Sequence, residues 1–368
     1  MPWLLIISFV LLLFYVFRIC GFYSAWTKAP SFIPNPPVRN IPVVIIPFHN
    51  EAERLPFLLE SLLSQSVKDF NVLLVDDYSK DTSRAVAEKL CAEHKQFQLL
   101  VNQGPAGKKH ALMTGIREAK SDLIVISDAD CRYPSDWLMH FASFFQENPH
   151  AKLVSSGVIL EPFPAFRDKY QALEFSSLVA SGAASFLQNN PLMCNGANLA
   201  FPKSLFLEAF ESIHPEVNTG DDMFLMAYAK KKYPGELYFL KNPDAFVFTS
   251  PSGSWRKLLN QRIRWASKST LYRDFSLVFL SFLVFFIHLL FPILLILGFS
   301  DPVYLLAAAG LFCVKSIPDY IFLRSFLEFT GQDKLLKIFI PSQLINFIFI
   351  PVSAFLGILR PPVRSSNK

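Results

Sequence analysis

From Phe275 to Phe299 the chain carries no Asp, Glu, Lys or Arg, and His288 is the one titratable side chain in the run. As an α-helix rising 1.5 Å per residue the stretch is roughly 37 Å long, more than the roughly 30 Å of hydrocarbon in a bilayer. It therefore spans a membrane, and any fold for this chain must include that crossing. A second apolar run, Trp3 to Phe17, is followed by Arg18, Lys28 and Arg39 with no Lys or Arg before it. A signal peptide wants a basic leader and a small-residue cleavage site. Neither is present, so the run reads as a signal anchor, whose basic flank puts the following chain in the cytosol. Val303 to Leu323 and Ile338 to Leu359 are also long enough to cross, but the first holds Lys315 and Asp319 and the second Pro341, Gln343, Asn346 and Pro351. Crossing, bent, interfacial and re-entrant courses all stay open for these two. Three C-terminal crossings would leave Arg360, Arg364 and Lys368 outside, against the charge rule that places the anchor, so the side of the tail also stays open.

The rest of the chain belongs in water. Hydrophobic residues reach 52% and charged residues only 18%, against a globular norm of about 25%, which disfavours disorder and a wholly soluble enzyme. Yet 35 Lys+Arg and 30 Asp+Glu are too many for a chain lying entirely in lipid. The net charge of +5 is mild and does not point to nucleic acid. Five cysteines, at 20, 91, 131, 194 and 313, lack CxxC or Cys/His metal spacing, which favours free thiols in a reducing compartment over structural zinc. Pro30, Pro34, Pro36, Pro37 and Pro42 make Ala29 to Pro42 an extended linker. The expected organisation is an anchor over 1–28, a linker over 29–41, a folded domain over 42–251, an amphipathic segment over 252–274, about three membrane helices over 275–360 and a tail over 361–368.

Within the folded domain, short β-branched runs alternate with longer amphipathic ones, the pattern of an α/β domain with an open parallel sheet covered by helices. Val43 to Pro47, Asn71 to Asp77, Phe97 to Val101 and Asp122 to Asp130 read as strands, and Glu53 to Gln65, Thr82 to His94 and Lys108 to Lys120 as crossover helices. Ligands of such sheets bind outside the carboxyl ends of the strands. Two strands end there in carboxylates, Asp76/Asp77 and Asp128/Asp130. Either pair alone is also ordinary turn and N-cap chemistry. Together on neighbouring strand ends they repel unless a cation or donor neutralises them, and oxygen ligands of this kind suit Mg2+ or Mn2+.

The run VVIIPFHNEAERLPFLLESLLSQSVKDFNVLLVDDYSKDTS, followed in order by GPAGKKHAL, SDADCRYPSDWL, NGANLAF, TGDDMFLM and QRIRWASK, resembles the family 2 glycosyltransferases of GT-A fold. The likeness extends from about Pro42 to Lys268. It is similar to the membrane-anchored branch, the cellulose, chitin, hyaluronan and poly-N-acetylglucosamine synthases and ceramide glucosyltransferases, in which QxxRW precedes C-terminal membrane helices. What the resemblance implies is a Rossmann-like GT-A nucleotide-sugar domain between N-terminal and C-terminal transmembrane helices. In that scheme Asp77, with Asp76 less directly, faces the uracil and ribose of a nucleotide sugar, and Pro47 and Asn50 line the same base. Asp128 and Asp130 match the DxD motif, with Asp130 on the metal and Asp128 near ribose or metal. Lys108 falls where the family places a phosphate-side basic residue, while a solvated basic loop is the equally open reading of Lys108 and Lys109.

The Thr219 to Asp222 segment aligns with the family's TED or GDD motif, whose last acid takes the acceptor hydroxyl's proton. That implies Asp222 as general base with Asp221 its neighbour, although the usual T-E-D is G-D-D here. A cap on a helix over Met223 to Lys231 is the plainer alternative for either acid. Gln261, Arg264 and Trp265 form QxxRW, in which Arg reaches the diphosphate and Trp offers an acceptor platform. Read without the family, the same segment, with six basic residues from Arg256 to Arg273, is an amphipathic helix at an anionic membrane surface. Phe163 to Asn190 carries no assignable motif.

These readings converge on an inverting, metal-dependent membrane glycosyltransferase. It would move a sugar from a nucleotide-diphosphate donor, a UDP-sugar first, to a lipid-linked or growing glycan acceptor among membrane lipids, with no nucleic-acid partner. The expected location is a bacterial inner membrane with the catalytic domain cytosolic. Processive synthesis and single addition stay open. A non-catalytic nucleotide-sugar-binding subunit of a polysaccharide-synthesis complex is the alternative, opposed by the joint presence of Asp77, Asp130, Asp222 and Arg264.

Overall fold

Each of the first four strand-forming runs is short, and three of them are rich in Val, Ile and Leu, whose branched side chains suit a sheet covered on both faces. In the computed structural model, which describes residues 2–214, 217 and 220–360, they become β1 (Val43–Phe48), β2 (Val72–Asp76), β3 (Phe97–Val101) and β4 (Leu123–Ile126). Thr219 and the tail 361–368 lie outside the described residues. The helices around these strands are α1 (Pro2–Lys28), α2 (Leu55–Leu63), α3 (Ser83–Glu93), α4 (Lys108–Glu118) and α5 (Trp137–Glu147). There follow β5 (Leu153–Ser156), β6 (Val158–Leu160), α6 (Phe166–Leu187), β7 (Leu199–Pro202), α7 (Lys203–Ala209), α8 (Asp221–Lys232), β8 (Leu237–Leu240) and β9 (Val247–Thr249). The chain ends in α9 (Trp255–Ala266), α10 (Phe275–Leu297), α11 (Pro302–Phe329) and α12 (Phe339–Ile358).

Two units share these elements. The α/β unit draws on residues 30–161 and 185–250, and the helical unit on 2–29, 162–184 and 251–360. In the α/β unit a seven-stranded sheet runs β3-β2-β1-β4-β7-β5-β8, beside a two-stranded ribbon of β6 and β9. Val44, Ile45 and Ile46 at its centre are fully buried, each contributing about 1.5–3 kcal/mol relative to exposure. Leu55, Leu58, Leu59 and Leu62 repeat at helical spacing and are the buried face of α2.

The sheet departs from the all-parallel expectation in one strand. β7 is antiparallel to both neighbours, pairing Ile126 with Leu199 and Val154 with Ala200. Because it runs backwards, its entry, Asn195 to Asn198, arrives at the edge where β1 and β4 end. Asn198 is fixed there, accepting from the Trp137 indole at 3.0 Å and donating to the carbonyls of Gly157 and Ala245 at 2.7 and 2.8 Å. Chain order supplies the other half of the site. The path leaves β1 for β2 and β3 on one side, then returns to place β4 on the other, so the ends of β1, β2 and β4 meet at a switch point.

In the helical unit, four helices among the described residues are long and apolar enough to cross a membrane: Trp3–Lys28, Phe275–Leu297, Pro302–Phe329 and Asp333–Ile358, the last beginning with a 3-10 turn. α11 continues through Lys315, Pro318 and Asp319. Its charges are matched inside the unit: Lys315 Nζ donates to Asp319 Oδ2 at 2.7 Å and to Gln343 Oε1, and the Tyr15 hydroxyl donates to Asp319 Oδ1 at 2.9 Å. Charged side chains inside so apolar a helix are held by pairing of this kind. α9 packs on α12 where Gly357 leaves room, since a Cβ there would stand 2.4 Å from Ala266 Cβ. The Tyr170 hydroxyl donates to Asn346 at 2.7 Å, tying α6 to α12.

Candidate active site

At the end of β1 the chain turns through Asn50, whose φ of 57° is left-handed. Its Oδ1 accepts from the backbone N–H of Lys80 at 2.8 Å, and its own N–H donates to Ser79 Oγ at 3.1 Å. Asn50 thus stitches the β1 loop to the β2 loop. Pro47 is buried within β1, opposite Val75. Asp76 is buried and accepts from Ser79 N–H at 2.9 Å. Asp77 holds the loop before α4: both its oxygens accept from Gly107 N–H, at 3.0 and 2.9 Å, and Oδ1 also accepts from Asn102 at 2.7 Å.

Gly107 starts α4 with Lys108 as the first helical residue. The Lys108 ammonium lies 2.6 Å from Asp128 Oδ1 and 3.6 Å from Asp221 Oδ2. Burial alone would lower its pKa, but Asp128, Asp221 and Asp222 outweigh that and hold it above the ordinary lysine range. Lys109 is only 1% exposed; it donates to the carbonyls of Ile213 and His214, both at 2.7 Å, and stands over the Phe224 ring at 4.9 Å. Neither lysine is a solvated loop cation. Lys108 balances the acid cluster, and Lys109 pins the segment that leads toward Asp221.

α8 begins at Asp221, two residues earlier than the pattern suggests, after Gly220 at a φ of 88°. Neither acid caps that helix from the N-cap position; both sit in its first turn, where the helix dipole favours negative charge. The Asp222 carboxylate is oriented by Met223 N–H at 2.7 Å on Oδ1 and Gly196 N–H at 3.0 Å on Oδ2. Asp221 is 5% exposed, and its Oδ2 makes no hydrogen bond among the described residues. Gly196 is confined by all three neighbours. A Cβ there would lie 3.3 Å from Asp221 Oδ2, 3.3 Å from Asp222 Cβ and 3.4 Å from Lys108 Nζ.

Asp130 lies two residues beyond Asp128, in the turn after β4. Burial raises its pKa and the neighbouring Asp128 raises it further, while the Thr249 hydroxyl and Arg54 pull it back. Thr249 is brought there by an antiparallel bridge between Arg132 and Phe248, whose backbone hydrogen bonds are 2.8 and 2.9 Å. Glu51 completes the cluster. Burial raises its pKa, Arg54 at 2.8 Å opposes that, and Asp130 and Asp128 add to it. Sequence reasoning assigned Glu51 and Arg54 no role; the i, i+3 pairing of an acid with a base just after the Asn50 turn is the signal that marks them. A cavity of about 190 Å3 opens beside Asp130, lined by Arg54, Phe57 and Leu58 of or next to α2 and by Arg132, Phe248 and Thr249.

Gln261, Arg264 and Trp265 lie on α9 in the helical unit. Arg264 is exposed and makes no side-chain hydrogen bond or ion pair among the described residues. Of the six basic residues in this segment, Arg262 and Lys268 are buried, at 7% and 5% exposure.

Residues 43–208 match the family model described as Glycosyl transferase family 2. That part of the chain is similar to a family 2 glycosyltransferase domain. Poly-beta-1,6-N-acetyl-D-glucosamine synthases of Staphylococcus epidermidis and Staphylococcus aureus (strain COL) are 25% and 24% identical to it, each alignment covering 62% of this chain and 54% of the relative. The chain thus spans about half the length of the curated relatives it matches. Among solved structures, the mannosyltransferase PcManGT from Pyrobaculum calidifontis, in complex with GDP-Man and Mn2+, aligns with a TM-score of 0.57 and 22% identity over 93% of this chain and 99% of that one. The α/β unit therefore has the GT-A architecture, a mixed α/β fold around a parallel-dominated sheet.

The donor set also fits a divalent metal. Asp128 and Asp130 offer only hard oxygen ligands, and no group of three or more His, Cys, Asp or Glu is placed to hold an ion unaided among the described residues. A Mg2+ or Mn2+ site of one or two carboxylates completed by substrate phosphates and water has this form.

Proposed function

We propose that the chain transfers a sugar, with inversion, from a nucleotide-diphosphate donor to a lipid-linked or growing glycan acceptor at a membrane. The observation that carries this reading is the convergence of Lys108, Asp128, Asp221 and Asp222 around Gly196 at the switch-point edge of the sheet. The loops after β1 and β2, joined through Asn50, form the base and ribose side. Asp130 would hold a divalent metal, with Asp128 beside it. When bound, that ion supplies positive charge to the departing diphosphate. Lys108 supplies a second cation at the same end, and charge held ready in this way accounts for much of the rate enhancement in many enzyme sites.

Asp222 is the general base. The backbone N–H groups of Gly196 and Met223 orient its carboxylate, and a fixed carboxylate is suited to take the proton of an acceptor hydroxyl. Asp221, buried and facing Lys108, is better suited to holding that lysine in place. The roles of Gln261, Arg264 and Trp265 rest on the resemblance: an unpartnered Arg264 suits a phosphate and Trp265 suits a sugar face. The basic flank of α1 supports a cytosolic catalytic domain, in a bacterial inner membrane.

The relatives' poly-N-acetylglucosamine activity makes UDP-N-acetylglucosamine the first donor to try. The purified full chain, reconstituted in lipid, is incubated with a panel of nucleotide sugars and Mn2+, with and without extracted membrane lipid. Nucleoside diphosphate release from one donor, increased by the lipid extract, is the expected result. Absence of release from every donor would refute catalysis and favour a binding subunit.

A further inference from the structure

The basic segment around QRIRW contains two arginines with opposite surroundings. Arg264 is exposed and has no partner among the described residues, whereas Arg262 is held inside the helical unit by Glu174 of α6. Arg262 Nε donates to Glu174 Oε1 at 2.9 Å, and a terminal nitrogen donates to Oε2, with the side chains only 7% and 9% exposed. A guanidinium fork meeting a carboxylate in this way is fixed in plane and direction.

That fixed group reaches both flanking motif residues. Arg262 Nη1 donates to Gln261 Oε1 at 2.9 Å, and its Cζ stands 4.1 Å from the centre of the Trp265 ring. Phe175, next to Glu174 on α6, packs against the same indole at 6.4 Å. With the Gln261 oxygen occupied, its amide NH2 is the group left to offer a ligand oxygen. The indole plane is set by a cation on it and a ring beside it.

We propose that Glu174 and Arg262 are positioning residues for sugar transfer, acting through Gln261 and Trp265. This gives a function to part of the stretch from Phe163 to Asn190, which no sequence motif explains. The inference rests on the reading of Trp265 as an acceptor-side residue, so its test must separate the two.

The double variant Glu174→Met/Arg262→Met removes both charges while keeping apolar bulk, a change that buried pairs commonly tolerate without loss of stability. The full chain is reconstituted in phosphatidylethanolamine and phosphatidylglycerol vesicles and assayed for nucleoside diphosphate release with UDP-N-acetylglucosamine, or with whichever donor the panel selects. The expected result is a kcat lower by about tenfold or more, a donor KM within about threefold of the parent and an unchanged unfolding midpoint. In a Gln261→Ala/Trp265→Ala background the same pair of changes should cost no more than about twofold further, because both groups being positioned are already gone. Unchanged kcat, or a full additional loss on top of Gln261→Ala/Trp265→Ala, would overturn the proposal. If Trp265→Ala itself transfers sugar normally, the acceptor-side reading fails and takes this inference with it. If the double variant unfolds early, Arg262→Lys carries the same test: its ammonium keeps the charge beside Glu174 but cannot also hold Gln261 and stack on the indole. The same kcat loss with an unchanged midpoint is expected, and normal kcat there overturns the proposal.

Discussion

Lys108 and Asp128 are 2.6 Å apart although twenty positions separate them in the chain, so the first acid of Asp-Ala-Asp is already balanced by a lysine from the start of α4. Removing that cation leaves Asp128, Asp130, Asp221 and Asp222 to repel one another and any incoming diphosphate. Lys108→Met should therefore raise the donor KM by about tenfold or more, since a charge-assisted contact is worth roughly 1.5–3 kcal/mol. Added Mn2+ should restore part of the loss. Steady-state kinetics across a Mn2+ titration measures both, and an unchanged KM would show that Lys108 serves only the fold.

Asp130→Asn tests the metal. The side chain is half-buried at a strand end and contributes little to the core, so the variant should fold normally while losing transfer and metal-dependent donor binding. Circular dichroism checks the first point and calorimetric donor titration with and without Mn2+ the second. Full activity of this variant in excess EDTA would remove the metal from the reaction.

Much of the α/β unit was legible because β1, β2 and β4 are apolar runs bounded by turn residues, and their lengths match strands rather than helices. The later strands were not. β6 and β9 have three residues each and β7 four, too short for a period to show, and an antiparallel partner for β4 leaves no mark on the sequence of either strand. In the helical unit Lys315 and Asp319 interrupt the hydropathy of α11, and only the folded arrangement reveals that Gln343 and Tyr15 complete their pairing. At the site, the carboxylate pairs and TGDD could be read from the chain. The burial of Arg262 could not, because its partner Glu174 lies 88 residues away on α6.

Lys109→Met probes a different link, from fold to site. The variant keeps the length of the side chain but leaves the carbonyls of Ile213 and His214 without that donor and removes the cation over Phe224. The expected cost is about 2–4 kcal/mol, the scale of buried acceptors losing a charged partner. Turnover should fall with it, because the segment after His214 leads into α8 and its two acids. Thermal unfolding followed alongside activity decides the matter; a stable, fully active variant would mean that this anchor is redundant.

The assignment of the base is the sharpest test of the site. Asp222→Asn preserves size and can still accept the N–H groups of Gly196 or Met223, but it cannot remove a proton from a hydroxyl at neutral pH. Turnover should drop on the order of 10²-fold or more, the usual scale for a general base, while donor affinity changes little. Asp221→Asn should behave differently. Its carboxylate is buried, lies 3.6 Å from Lys108 and is screened from an acceptor, so the loss should appear in stability and in donor KM more than in kcat. Measuring kcat, KM and unfolding midpoint for both variants separates the roles. If Asp222→Asn kept near-normal turnover while Asp221→Asn lost it, the base would be the buried acid, and Lys108 would be the group that tunes it rather than one that receives the diphosphate.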